Sequence, residues 1–148
     1  MPTKQTRRKN NVTVQYAVPR RGVPTAALLR KWARSASSNP LTLRIVGERE
    51  GRELNRTFRK IDRATNVLSF AYDRRGGDIV LCHPVIRREA HAQGKSVAAH
   101  YAHLVVHGVL HLRGYAHEKK RDAARMEARE IRLLRRLGIR NPYASNVE

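Results

Sequence analysis

Between Ser96 and Gly114 the chain places four of its seven histidines on a stretch that is otherwise almost wholly apolar. Ser96 is suited to cap the start of a helix, and Gly114 to end it just past Arg113. At 100° per residue, His100, His103, His107 and His111 fall within about 80° of one helix face. A soluble helix seldom gives its inward stripe to imidazoles, so the stripe asks for a chemical reason. His107 and His111 stand at i and i+4, where both rings can point at one ion. Gly114 lets the chain turn back and brings His117 within reach of the same point. His-x3-His-x5-His is thus a three-nitrogen tripod for zinc with a fourth position left open. His100 and His103, one and two turns back from His107, are expected to support the ligands or line the core. The same spacing excludes something. Zinc peptidases carry His-Glu-x-x-His with the Glu as general base, and here Gly108 stands in that place.

Around this helix the pattern reads as one α+β domain, a small mixed sheet of about four strands packed with helices. Residues 12–18 and 41–46 alternate apolar and polar residues and read as strands; 66–72 and 78–82 read as two more. Residues 24–37 carry Ala27, Leu28, Trp32 and Ala36 near helical spacing, with Pro24 in the first turn. Short helices are expected over 50–58 and from Pro84 to about Gly94, and a final helix over 118–137, stopped by Gly138. Residues 1–11 form a Lys/Arg-rich arm without periodicity, expected to be disordered. The domain then runs over 12–140, and 141–148 form a C-terminal tail.

Charge narrows the partner. Thirty-one Lys and Arg against twelve Asp and Glu give +19 at pH 7, and 24 of the basic residues are Arg. Such an excess opposes compaction, and a polyanion relieves it. Phosphate neutralisation releases counterions, and the planar guanidinium pairs well with phosphate, so nucleic acid is the expected partner. Charge on a membrane binder would gather on one amphipathic helix; here it is spread along the chain. No apolar run is long enough to span a bilayer, and the N-terminus lacks the apolar stretch of a secretory signal. Cys82 is the one cysteine, which fits a reducing cytoplasm.

The segment His107-Gly-Val-Leu-His111-Leu-Arg-Gly-Tyr115-Ala-His117 resembles the signature of the YbeY family of bacterial rRNA-maturation endoribonucleases. Arg59 followed by Asp62 and Thr65-Asn-Val-Leu-Ser-Phe70, then Gly77-Asp-Ile-Val-Leu-Cys82, Met126-Glu127, Glu130 and Leu137-Gly138, resemble it in the same order. The resemblance implies an α+β fold, one zinc held by His107, His111 and His117, and cleavage of single-stranded RNA. It also implies roles in maturing the 3′ end of small-subunit rRNA, in ribosome quality control, and a catalytic role for Arg59 in the cleft. One position departs: Ala116 stands where the family has Asp. That departure keeps open an alternative, a non-catalytic ribosome-associated RNA-binding protein with a zinc site.

The remaining candidates have plainer expectations. Arg59 without the resemblance would be an ion-pair partner of Asp62. Asp62, Asn66 and Ser69 are expected to be structural, Asp78 to serve a turn, and Cys82 to fill the core. His83, with Cys82, would end a strand near the site. Glu127 and Glu130 share a helix face with Met126 and could reach histidine N–H groups, but pairing with nearby arginines is the expected role. Trp32 and Tyr16 could stack on bases, although backbone charge should dominate binding.

Overall fold

The computed structural model describes residues 11–72, 76–114 and 120–144, the side chains of 120–122 excepted. Four strands form one mixed sheet: β1 (Val12–Tyr16), β2 (Leu41–Val46), β3 (Val67–Ala71) and β4 (Gly77–Cys82), in the order β1-β2-β4-β3. β2 runs parallel to both β1 and β4, with Leu41 opposite Val12 and Gly77; β3 runs antiparallel to β4, with Ser69 opposite Ile79. The helices among the described residues are α1 (Ala26–Ala36), α2 (Glu48–Arg59), α3 (His83–Gln93), α4 (Val97–Leu112) and α5 (Lys120–Arg136). This is the α+β architecture that the pattern predicts.

Alternation along β4 shows how the layers are made. Ile79 and Leu81 face the main core with Leu43, Ile45, Leu29, Val105 and Leu134, while Val80 and Cys82 face a smaller cluster with Val46, Leu68 and Leu54 of α2. A strand buried on both faces needs apolar residues at every position, which is why 79–82 reads as an unbroken run. α4 packs against α1, α3, α5, β3 and β4, and eight of its non-histidine residues, from Tyr101 to Leu110, are buried. Gly108 is one of them. A Cβ there would stand 3.2 Å from both Ile79 Cδ1 and Ser69 Oγ, so the missing side chain lets the helix lie close on the sheet.

Element ends follow local chemistry. Thr25 caps α1 by accepting from Leu28 N–H, so Pro24 precedes the cap instead of lying in the first turn as expected. Ser96 caps α4 as expected, accepting from Ala99 N–H at 3.0 Å. α2 starts at Glu48 and reaches Arg59, ending on Lys60 in the left-handed region (φ 63°). Buried Asn55 donates to Arg63 C=O at 2.7 Å and ties the following loop to the helix. Among the described residues, no helix is long and apolar enough to cross a membrane.

Candidate metal centre and cleft

α4 carries its histidines along the seam where it meets α5 and the cleft beside β3. Successive rings lie 6.3, 6.1 and 6.5 Å apart from His100 to His111, and those of His107 and His111 stack at 14°. Both rings leave the helix on one side, nearly parallel. Together they line a cleft of about 520 Å³ whose other walls are Phe58 and Arg59 at the end of α2 and Val67, Leu68, Ser69 and Phe70 of β3. Arg59 and the two histidines, distant in sequence, therefore share one cavity. His117 and Ala116 lie outside the described residues.

Behind His107 stands Glu130 of α5, fully buried. Its Oε2 lies 2.7 Å from His107 Nδ1, its Oε1 lies 3.1 Å from His103 Nε2, and Tyr143 O–H donates to Oε1 at 2.5 Å. Burial alone would raise this carboxyl's pKa. Hydrogen bonds from His103, His107 and Tyr143 outweigh it and bring the value down to about 2. The Tyr143 hydroxyl is pushed up by burial and by the same carboxylate. A carboxylate on Nδ1 makes that nitrogen the donor and leaves Nε2 as the nitrogen suited to ligate a metal, the arrangement commonly found behind a metal-bound imidazole. Glu130 is therefore not the arginine partner that the sequence favours. Docking of α5 on α4 turns it inward, where histidine and tyrosine donors satisfy it.

His103, His107 and Glu130 also place one possible ligand atom each within 4.8 Å of one another, a group able to hold a metal. The donor set thus suits a transition metal such as zinc: imidazoles in pairs, one anchored by a buried carboxylate. His100 plays a quieter part: its Nε2 lies 2.8 Å from Glu89 Oε1, and burial lowers its pKa.

Several expected roles change. Asp62 pairs with Arg52 at 2.8 and 3.1 Å, leaving Arg59 to the cleft. Asn66 donates to Glu89 at 2.9 Å and is structural, whereas Ser69 lines the cleft. Asp78 accepts from Tyr72 O–H. Cys82 is buried, as expected. His83 opens α3 and meets Tyr101 O–H at 2.8 Å, away from the cleft lining. Trp32 is buried in the core, and Tyr16 donates to Pro24 C=O at 2.7 Å, so neither offers a stacking surface at the cleft. The missed residues are Phe58 and Tyr143; an aromatic beside Arg59 was the only signal for the first.

The family described as Endoribonuclease YbeY matches the chain over residues 7–138. A curated Endoribonuclease YbeY of Aromatoleum aromaticum is 52% identical over 141 residues, covering 90% of this chain and 92% of its own. One of Nitrosospira multiformis is 49% identical, covering 92% and 82%. The solution structure of TM1509 from Thermotoga maritima superposes with a TM-score of 0.59 at 21% identity, over 90% of this chain and 99% of that one, which supports the fold. Extended identity at this level, joined to a cleft built from the signature histidines and arginine, leads to one conclusion: this chain belongs to the YbeY endoribonuclease family.

Proposed function

We propose that this chain is a zinc-dependent, single-strand-specific endoribonuclease of the cytoplasm, acting on ribosomal RNA at the 3′ end of the small subunit and in ribosome quality control. The observation that carries the proposal is the shared cleft of Arg59, His107 and His111. The non-catalytic alternative is not favoured, since relatives of about half identity carry the endoribonuclease name.

In this reading His107, His111 and His117 hold the ion, and His103 and Glu130 stand behind them. Of the two roles open to it, Glu130 is better placed behind the ligands than among them, because its two oxygens already meet three donors and it is sealed from solvent. Zinc held by these three histidines would supply Lewis acidity to the site. The chain's own groups do the rest. Glu130 fixes the tautomer and orientation of His107. Arg59 can place two charge-assisted N–H donors on the non-bridging oxygens, where negative charge grows during displacement. Val67, Leu68 and Phe70 line part of the cleft with apolar atoms, a surrounding of lower dielectric that would strengthen those contacts.

The test is zinc analysis and cleavage of single-stranded RNA by the unaltered chain and by His111→Ala, His103→Ala, Arg59→Ala and Ala116→Asp. The unaltered protein should hold about one zinc and cut RNA. His111→Ala should lose metal and cleavage while keeping its fold, and His103→Ala should keep more metal than His111→Ala. Arg59→Ala should keep zinc and lose roughly 100-fold in rate. If His111→Ala binds zinc normally and His103→Ala does not, the ion belongs with His103, His107 and Glu130. If only Ala116→Asp cuts, this chain is a binder.

A further inference from the structure

Phe58 is a cleft residue that the chemistry above leaves unused. It is 60% exposed, more than Leu28, Tyr72 or Tyr143, the other large apolar or aromatic side chains in water among the described residues. Tyr72 and Tyr143 each spend a hydroxyl on a buried or half-buried carboxylate; Phe58 has no polar atom to spend. Nor is its place on the surface arbitrary. It lines the cleft next to Arg59 and faces the same cavity as His107 and His111. Its ring meets Phe70 of β3 at 5.0 Å between centroids and 67° between planes. At that angle Phe70 engages at most one face of the Phe58 ring, so flat apolar surface remains open to solvent at the cleft wall.

We propose that Phe58 is a stacking platform for one unpaired nucleobase of the RNA, the base adjoining the phosphate that Arg59 grips. This deepens the nuclease reading above and rests on it for the substrate. Three features select this occupant. A nucleobase is flat and aromatic, like the surface offered. It arrives attached to a phosphate, which the neighbouring guanidinium and the +19 charge of the chain attract. A base inside a duplex already has both faces stacked, so the platform takes only an unpaired one. Single-strand preference would then be decided at Phe58, and cleavage at the histidines.

The experiment measures the affinity of single-stranded RNA carrying 2-aminopurine, by fluorescence, for the metal-free protein, and the KM and kcat of cleavage for the zinc-loaded one. Phe58→Leu keeps apolar bulk without a ring; Phe58→Trp keeps a ring. Melting curves confirm the fold of each, which so exposed a position should not disturb. Phe58→Leu should weaken RNA binding and raise KM by roughly tenfold, with kcat nearly unchanged, and Phe58→Trp should restore both. Equal affinity and KM for Phe58→Leu and the unaltered chain would overturn the platform and leave the nuclease reading intact. Ring-dependent binding by a protein that never cuts RNA would support the platform and sink the nuclease reading.

Discussion

Glu130 shows how much of the centre depends on a residue that never meets solvent. Its charge sits among three donors, two from α4 and one from Tyr143, which the chain supplies after α5 has ended. Glu130→Gln keeps the shape but sets an amide N–H₂ against groups that themselves donate. Zinc affinity should fall 10- to 100-fold, as expected for loss of a carboxylate behind a ligating histidine, and competition with a chromophoric chelator measures it. Unchanged affinity would show that Glu130 only fills space. Tyr143→Phe keeps the ring that packs 5.3 Å from His103 and removes one donor, so its loss should be smaller. The sequence marks Glu130 as a candidate for the histidines yet does not separate it from an ordinary surface glutamate. Helical spacing gives the face on which it lies; only the docking of α5 on α4 says that this face is buried.

Helix α4 is the element on which both core and cleft depend, and much of it is legible. Its cap, its end and its histidine stripe are local signals, fixed by the backbone geometry of a helix. The sheet order is not local. Nothing in the strand patterns places β4 between β2 and β3, because that depends on which edge each returning strand finds free. The same distance effect misleads for Trp32 and Tyr16, whose aromatic rings invite a binding role until α1 is packed on the sheet. Gly108 joins the two scales. Its peptidase-excluding place between the histidines has a structural counterpart, since the helix touches Ile79 and Ser69 there. Gly108→Glu should therefore not create a peptidase. Overpacking costs about 1–3 kcal/mol, and an unpaired buried carboxylate adds several more. A loss of at least ~3 kcal/mol in chemical denaturation is expected. A variant as stable as the parent would mean that α4 can lift from the sheet freely.

Net charge acts at the scale of the whole molecule, and its effect on binding can be separated from that of any single contact. With +19 on 148 residues, the free protein repels itself, and single-stranded RNA brings one negative charge per nucleotide. Each phosphate neutralised releases condensed counterions, so log affinity should fall linearly with log salt at about −0.7 per phosphate contact. A cleft of about 520 Å³ holds only a short piece of strand, so exposed arginines outside it would have to carry any longer contact. With about four phosphates engaged the slope is near −3, and a fourfold rise in salt weakens binding roughly 50-fold. Arg59→Ala should reduce the slope by about 0.7, one contact's worth, while Phe58→Leu should shift affinity and leave the slope alone, because stacking releases no counterions. Titrations of single-stranded RNA against metal-free protein from low to moderate salt would check all three. A slope near zero would mean that the basic excess serves something other than the strand in the cleft. A Phe58→Leu slope that falls with its affinity would mean that the ring holds Arg59 in place instead of holding a base.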